Sequence, residues 1–217
     1  MRAVIVQHEE HEGLGLLGPV LTAAGYTLTK RFRSIEHADH AADLVVILGG
    51  SMSANDVSEH PFIGAERAFL MERLANDKPT LGICLGSQLL AAAAGADVFV
   101  GKNGKEICIG PVKWMKPAQE LLGVAAKSTV AHWHAETFSP VPGATLLAST
   151  DRYAQQAFRI GRAFGVQFHL ELSGDAWLQW VKVNGADAAL EKDAGKLRAA
   201  ETANTQILER LVQELRR

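Results

Sequence analysis

The ten residues Pro79-Thr-Leu-Gly-Ile-Cys-Leu-Gly-Ser-Gln88 constrain this chain more than any other stretch. Pro79 to Ile83 reads as a short apolar strand and Leu85 to Ala94 as a helix, with Cys84 at the junction. Glycines lie two residues to either side of the cysteine, at Gly82 and Gly86. A turn that passes from strand straight into helix brings its two arms too close for a Cβ, and glycine at both places removes the clash. Gly-x-Cys-x-Gly is the spacing of a nucleophile elbow, which lifts one side chain above a sheet. A thiol there meets the positive end of the helix macrodipole, which favours the thiolate. The N–H of Leu85, in the unpaired first turn, is a candidate oxyanion donor. A free cysteine is equally at home as a small buried residue, so the elbow needs a base and an orienting acid from elsewhere.

The segments around it predict the sheet from which such an elbow rises. Arg2 to Gln7 reads as a buried first strand, Tyr26 to Lys30 as a second, and Leu44 to Leu48 as a third that is apolar on both faces. Between them lie a helix from Gly13 to Ala24, closed by Gly25, and after them a helix from Pro61 to Asn76. Continuous apolar strands alternating with helices predict an α/β fold, a mostly parallel central sheet flanked by helices. Active sites of such sheets form in loops at the carboxyl ends of the strands. Gly49-Gly50 sits in one of these loops, directly after the third strand, where a second backbone donor can approach a ligand.

Beyond Gly95 the strands shorten: Val98 to Gly101, Gly110 to Met115, Thr129 to His132, Ala144 to Ser149, Ala154 to Ile160 and Ala163 to Phe168. Gly101 to Lys105 reads as a solvated hairpin turn. From Ser173 onward the pattern is helical, and a last helix from about Lys196 to Leu215 carries Leu197, Ala200, Ile207, Leu208, Leu211 and Leu215 on one face. That stripe is expected to pack on the chain itself. No linker, repeat or low-complexity tract divides the sequence, so residues 1–217 are read as a single domain with 172–217 as a helical C-terminal extension.

Composition excludes several function classes. The 217 residues are 47% hydrophobic and 21% charged, with a net charge of −2, which gives no electrostatic footprint for nucleic acid or an acidic membrane surface. No segment is apolar enough over sufficient length to span a bilayer. Two cysteines, Cys84 and Cys108, suit a reducing compartment, and a cytoplasmic location is expected. His8-Glu9-Glu10-His11-Glu12 lacks the helical His-Glu-x-x-His spacing; no metal or other cofactor is expected.

The base and acid are found at another strand end. Phe168-His169-Leu170-Glu171 follows the strand that begins at Ala163, and residues two apart on an extended segment project to the same side. A histidine steadied by a carboxylate is the general base that a thiol nucleophile requires.

Taken together, Gly82-Ile-Cys-Leu-Gly-Ser-Gln88 and Gln167-Phe-His-Leu-Glu171 resemble a class I glutamine amidotransferase, in particular the GMP synthase-like amidotransferases that stand alone as single domains. Gly49-Gly50-x-Met52-Ser53-x-Asn55-Asp56, Lys105-Glu106-Ile107, His132 to Phe138, Pro142-Gly143-Ala144 and Ala157-Phe158 match in the same order. The resemblance runs from the first strand to about Glu171. It implies a flavodoxin-like sheet, with Cys84 as nucleophile, His169 as base and then acid, and Glu171 as its orienter. It further implies oxyanion donors at Gly50 and Leu85, a substrate contact at Gln88, and a loop His134-Ala135-Glu136 that holds the amino-acid end of a glutamyl substrate. That role as a substrate loop is preferred over metal ligation by His132 and His134. The substrate would be glutamine or another γ-glutamyl compound, with ammonia passing to a separate synthase subunit.

Four positions depart from the family pattern: Leu170 and Ser51 stand where proline is usual, Ala135 and Cys108 where glycine is usual. Proline at 170 would add rigidity and no reacting group; Ala135 adds a methyl to the substrate loop and bears on specificity for free glutamine. Three alternatives stay open. A stand-alone γ-glutamyl peptidase would use the same triad. A dienelactone-type hydrolase would need an acid ahead of the histidine, for which Asp151 is the candidate. A catalytically idle binding or redox-sensing protein would keep the scaffold alone.

Overall fold

The computed structural model describes all residues, Met1–Arg217. The first half alternates regularly: β1 (Arg2–Gln7), α1 (Leu17–Ala23), β2 (Thr27–Phe32), β3 (Leu44–Ile47), α2 (Pro61–Ala75), β4 (Thr80–Ile83) and α3 (Leu85–Ala93). The second half is richer in strand: β5 (Val98–Val100), β6 (Glu106–Trp114), α4 (Lys116–Leu122), β7 (Lys127–His134), β8 (Glu136–Phe138), β9 (Thr145–Ser149), β10 (Ala157–Ile160) and β11 (Ala163–Val166). Two helices close the chain, α5 (Gly174–Val183) and α6 (Ala194–Leu215). No helix is long and apolar enough to cross a membrane.

Nine strands form one sheet in the order β2-β1-β3-β4-β11-β10-β9-β6-β7. From β2 to β11 the neighbours are parallel, and from β11 to β7 they are antiparallel. β5 and β8 pair separately. β1, β3, β4 and β11 are buried on both faces, as the continuous apolar strands predict, while the edge strand β2 stays half-exposed. On β1, Ala3 and Ile5 face a core filled by Leu17 and Leu21 of α1 and by Ile207, Leu208, Leu211 and Leu215 of α6. Val4 and Val6 face the opposite core, with Ile63 and Leu70 of α2 and Leu89 and Leu90 of α3. The two-residue period of a strand thus sorts one sequence run into two cores.

Several boundaries differ from the sequence expectation, each for a physical reason. Residues 8–16 form a loop, so α1 begins at Leu17 and not at Gly13; Gly15 takes φ +44° as it passes the Glu171 carbonyl, and Leu16 N–H donates to that carbonyl at 2.8 Å. β2 runs two residues further, to Phe32, because its parallel pairing with β1 continues to Gln7. β6 starts at Glu106 and not Gly110, and β7 extends from Lys127 to His134, because each supplies the other's ladder along eight residues. β10 is shorter than expected and β11 ends at Val166, after which His169 keeps only an isolated bridge to Ala131. α4 and β8 have no counterpart in the sequence expectation. The last helix packs on its own chain as expected: Ile207, Leu208, Leu211 and Leu215 complete the main core, and Leu197 packs in a smaller cluster with Trp177 and Trp180 of α5.

Candidate active site

Cys84 has φ +51° and ψ −109°, a region that L-residues avoid and that must be held by its surroundings. Three bonds hold it: Cys84 N–H to Val166 O at 2.8 Å, Gly86 N–H to Leu48 O at 3.2 Å, and Ser87 Oγ to Cys84 O at 2.7 Å. A Cβ at Gly82 would enter the backbone of Gly86, and one at Gly86 would meet the Ile47 carbonyl. These two glycines let β4, α3 and β3 close on one another, and the strained turn is the result.

His169 and Glu171 lie beside this elbow. The His169 Nδ1–H donates to Glu171 Oε1 at 2.7 Å, with both residues buried. The other ring nitrogen, Nε2, has no hydrogen-bond partner in the protein. A Cβ built on Gly49 would lie 3.3 Å from His169 Cε1 and 3.6 Å from Cys84 Cβ, so imidazole and thiol flank the same glycine. Burial pushes the His169 pKa down, but the Glu171 charge and hydrogen bond and the neighbouring Cys84 outweigh it, and the ring stands well above its ordinary value. Leu170, where the family pattern has proline, is itself core: it is buried in the cluster that holds Phe168, Ile83 and Cys84. Asp151 is exposed and paired with Lys113, so the structure leaves it no part as a triad acid.

A pocket of about 440 Å³ opens above the thiol. Of the residues singled out in the sequence, Gly50, Cys84, Gln88, His134, Ala135 and Glu136 line it; Leu85 lies just below, at the start of α3. The Gly50 and Leu85 positions are adjacent, since a Cβ on Gly50 would come within 3.0 Å of Leu85 Cδ2. Two side chains are turned away from a simple substrate contact. Gln88 donates from Nε2 to Gln167 Oε1 at 3.1 Å and lies 3.4 Å from Glu136 O. The His134 ring lies between Glu136 O, 2.9 Å from Nδ1, and Glu106 Oε2, 3.1 Å from Nε2. Glu136 keeps its carboxylate at the pocket, accepting from Ser53 Oγ at 2.7 Å. Lys105 and Asp56 add one charge of each sign to the wall.

Sequence reasoning missed four residues that brace the site. His8 lies fully buried, with Nδ1 2.9 Å from Gly49 O and Nε2 3.0 Å from Glu66 Oε2. Both neighbours can accept from the ring; burial opposes its charged form, but Glu66 more than compensates and the pKa is raised. Because a trans peptide sets C=O and N–H on opposite sides, pinning the Gly49 carbonyl turns the Gly50 N–H away from His8. Glu12 packs its carboxylate against Gly49, and burial raises its pKa to about 7. Gln167 Nε2 lies 3.7 Å from Cys84 Sγ. Trp180 of α5 stands edge-on to the His169 ring at 4.8 Å and donates to His11 O at 3.2 Å. Gln167 belongs to the Gln167–Glu171 motif, although the motif assigns it no role; for the others the only signal is the odd density of His and Glu at residues 8–12, which reads as a metal cue and is a bracing loop.

Fold and site together define a sheet-borne cysteine elbow backed by a His–Glu pair. The family model for glutamine amidotransferase class-I matches residues 22–179, and the chain belongs to that family. A glutamine amidotransferase-like protein of Salmonella typhimurium, YfeJ, is 29% identical over 187 residues, spanning 81% of this chain and 78% of that one. A glutamine-hydrolysing GMP synthase component from Methanosarcina mazei is 38% identical over 100 residues, but this match spans 45% of this chain and only 52% of that protein. The crystal structure of a glutamine amidotransferase from Thermotoga maritima superposes with a TM-score of 0.89 at 29% identity, covering 99% of this chain and 97% of that one.

Proposed function

We propose that the protein hydrolyses the γ-amide of glutamine, or of a closely related γ-glutamyl compound, through a thioester on Cys84. The observation that carries this reading is the buried His169–Glu171 pair, with Nδ1 committed to the carboxylate and Nε2 unbonded beside the elbow thiol. Cys84 Sγ gives its proton to His169 Nε2 and bonds the γ-carbon. The oxygen that becomes anionic is met by the N–H groups of Gly50 and Leu85. As the C–N bond breaks, His169 returns the proton to the leaving nitrogen, and ammonia or an amine departs. Water, deprotonated by the same nitrogen, then cleaves the thioester and restores the thiol.

Glu136 and Asp56 supply the negative charge that an α-amino group requires, and Lys105 the positive charge for an α-carboxylate. The relatives named as synthase components support an ammonia-accepting partner, and without that partner the protein is expected to be a slow glutaminase. A second reading, γ-glutamyl peptidase, is favoured by the pocket lining, where Met52, Val100 and Ile107 offer apolar surface alongside the charged residues. Ammonia and amine release from glutamine and a panel of γ-glutamyl dipeptides separates the two. Dipeptides used at least tenfold more efficiently in kcat/KM, about 1.4 kcal/mol, would reverse the ranking. Turnover of none by the protein, by itself or with added synthase, would leave an idle scaffold. The variant Cys84→Ser is expected to lose all amide hydrolysis while keeping the fold, since the hydroxyl fits but does not ionise as a thiol does.

A further inference from the structure

Behind the substrate loop, on one face of the β6–β7 ladder, four metal-binding residue types stand together. Glu106 is directly opposite His134, and Cys108 opposite His132. Residues two apart share a face, so all four side chains rise from the same side of the two strands. Glu106, His132 and His134 are buried, and each offers a ligand atom within 4.8 Å of the other two. Glu106 Oε2 lies 3.1 Å from His134 Nε2 and 3.9 Å from His132 Nδ1. Donors around a tetrahedral zinc ion at the usual bond length stand about 3.3 Å apart, and these separations bracket that value.

Two features point to a cation rather than to an ordinary hydrogen-bonded core. First, His132 is 1% exposed, yet neither ring nitrogen has a hydrogen-bond partner. An imidazole buried in that way forfeits the free energy of its polar atoms. Second, the His134 ring lies between the Glu136 carbonyl, 2.9 Å from Nδ1, and Glu106 Oε2, 3.1 Å from Nε2, with Gln156 Nε2 3.4 Å from the same nitrogen. When Nδ1–H donates to the carbonyl, the Nε2 lone pair and the carboxylate converge on one point, where a cation can join them. Glu106 Oε2 also accepts from Gln156 Nε2 at 2.7 Å and Thr150 Oγ1 at 3.3 Å, which fixes the carboxylate beside the two imidazoles. A cavity of about 270 Å³, lined by Glu106, Cys108, His132 and Thr150 among others, gives access from solvent and room for a fourth ligand.

We propose that Glu106, His132 and His134 bind one divalent cation of the zinc class, with water or the Cys108 thiol completing the shell. Two imidazoles and one carboxylate form a borderline donor set that suits zinc or cobalt better than magnesium or calcium. Since His134 also holds the Glu136 carbonyl, the ion fixes the base of the loop that borders the substrate pocket. The site shares His134 with the wall of the Cys84 pocket but uses none of Cys84, His169 and Glu171, so the proposal stands whether or not the amide reading holds.

The test uses the full chain carrying Cys84→Ser, so that the elbow thiol cannot bind the metal. After chelator treatment and dialysis, titration with Zn²⁺ by calorimetry and with Co²⁺ by visible absorption should show one equivalent bound with a tetrahedral Co²⁺ spectrum. His132→Leu, which keeps the volume, and Glu106→Gln should each weaken binding about tenfold or more in protein shown folded by circular dichroism. Should those variants fail to fold, ring ¹⁵N resonances of His132 and His134 in the otherwise unchanged chain provide the same decision: both shift on adding Zn²⁺. Absence of stoichiometric binding, binding unaltered by His132→Leu, or unmoved histidine resonances would overturn the proposal.

Discussion

The two arms of the candidate site are built in opposite ways. Cys84 is placed by one continuous strand-turn-helix, Thr80 to Ala93, and its strained φ is fixed by neighbours on adjoining strands. His169 lies beyond the end of β11, where the ladder has stopped, and is held by distant pieces. Ala131 of β7 bridges it with bonds of 2.8 and 3.4 Å, Trp180 of α5 packs against its ring, and the 8–16 loop ties to Glu171 through Leu16. The proposed nucleophile therefore inherits its geometry from local covalent structure, and the proposed base inherits its geometry from long-range packing. Damage remote from the chemistry should reach the base first and leave the elbow standing.

The largest expected effect breaks the base itself. His169→Ala should lower kcat by about 10³-fold or more, near the upper part of the range for removing a general acid–base group. Glu171→Gln, which keeps the shape but loses the charge that orients and stabilises the imidazolium, should cost less. The double variant should be about as poor as the histidine variant, because groups acting as a unit are not additive. Equal losses in the two single variants, with both proteins folded, would contradict this division of roles.

Next in size is the brace behind the nucleophile's side of the pocket. Glu66→Gln removes the charge that raises the His8 pKa and steadies its ring, so the Gly49 carbonyl loses its hold and the Gly50 N–H its direction. Losing one oxyanion donor outright costs about 10²–10³ in kcat; misdirecting it should cost about 10- to 100-fold, with KM nearly unchanged. A rise in KM at constant kcat would show that the pair shapes substrate binding instead.

Trp180→Phe addresses the long-range arm more gently. It keeps an aromatic edge near His169 and removes the bond to His11 O, for which about 1 kcal/mol of stability is expected to be lost. If packing of α5 sets the base, kcat should fall several-fold as well. A lowered melting temperature with wild-type kcat would show that α5 supports the fold and leaves the base alone.

The same contrast decides what could be read from the sequence. The elbow is legible because strand, strained residue and helix cap are adjacent in the chain. The parallel half is legible because β1, β3 and β4 are apolar on both faces and cannot be anything but buried. β6 reads short because its first residues, Glu106 to Ile109, mix charge with apolar residues; Pro111, inside the expected strand, is tolerated where β9 leaves that edge of β6 uncovered. The pairing of His169 with Glu171 is legible from two-residue spacing, although the strand itself stops short of them. The bracing residues are not legible. His8 meets Glu66 across 58 positions, and Trp180 meets His11 across 169, and no local pattern encodes such contacts.

Glu12 carries the smallest expected effect on turnover and a distinctive one on stability. Its carboxylate sits between Gly49 and the His169–Glu171 pair, and burial, reinforced by Glu171 and Glu9 against the pull of His169, raises its pKa from an ordinary 4.5 to about 7. Between those values the folded chain holds a proton that the unfolded chain has lost. Stability associated with Glu12 is therefore complete below about pH 4.5 and is lost as pH rises to about 7, at a cost of order 3 kcal/mol. Gln resembles the protonated acid, so Glu12→Gln should match the wild type near pH 4 and melt at a higher temperature near pH 8. The activity at neutral pH should change by no more than about threefold, because Glu171 remains to stabilise the imidazolium. Melting temperatures of the two proteins across pH 4 to 8 provide the check. Parallel curves would mean that Glu12 titrates normally and that the loop at residues 8–16 opens to solvent. A large fall in activity would move Glu12 from the surroundings of the base into the proton-transfer chemistry itself.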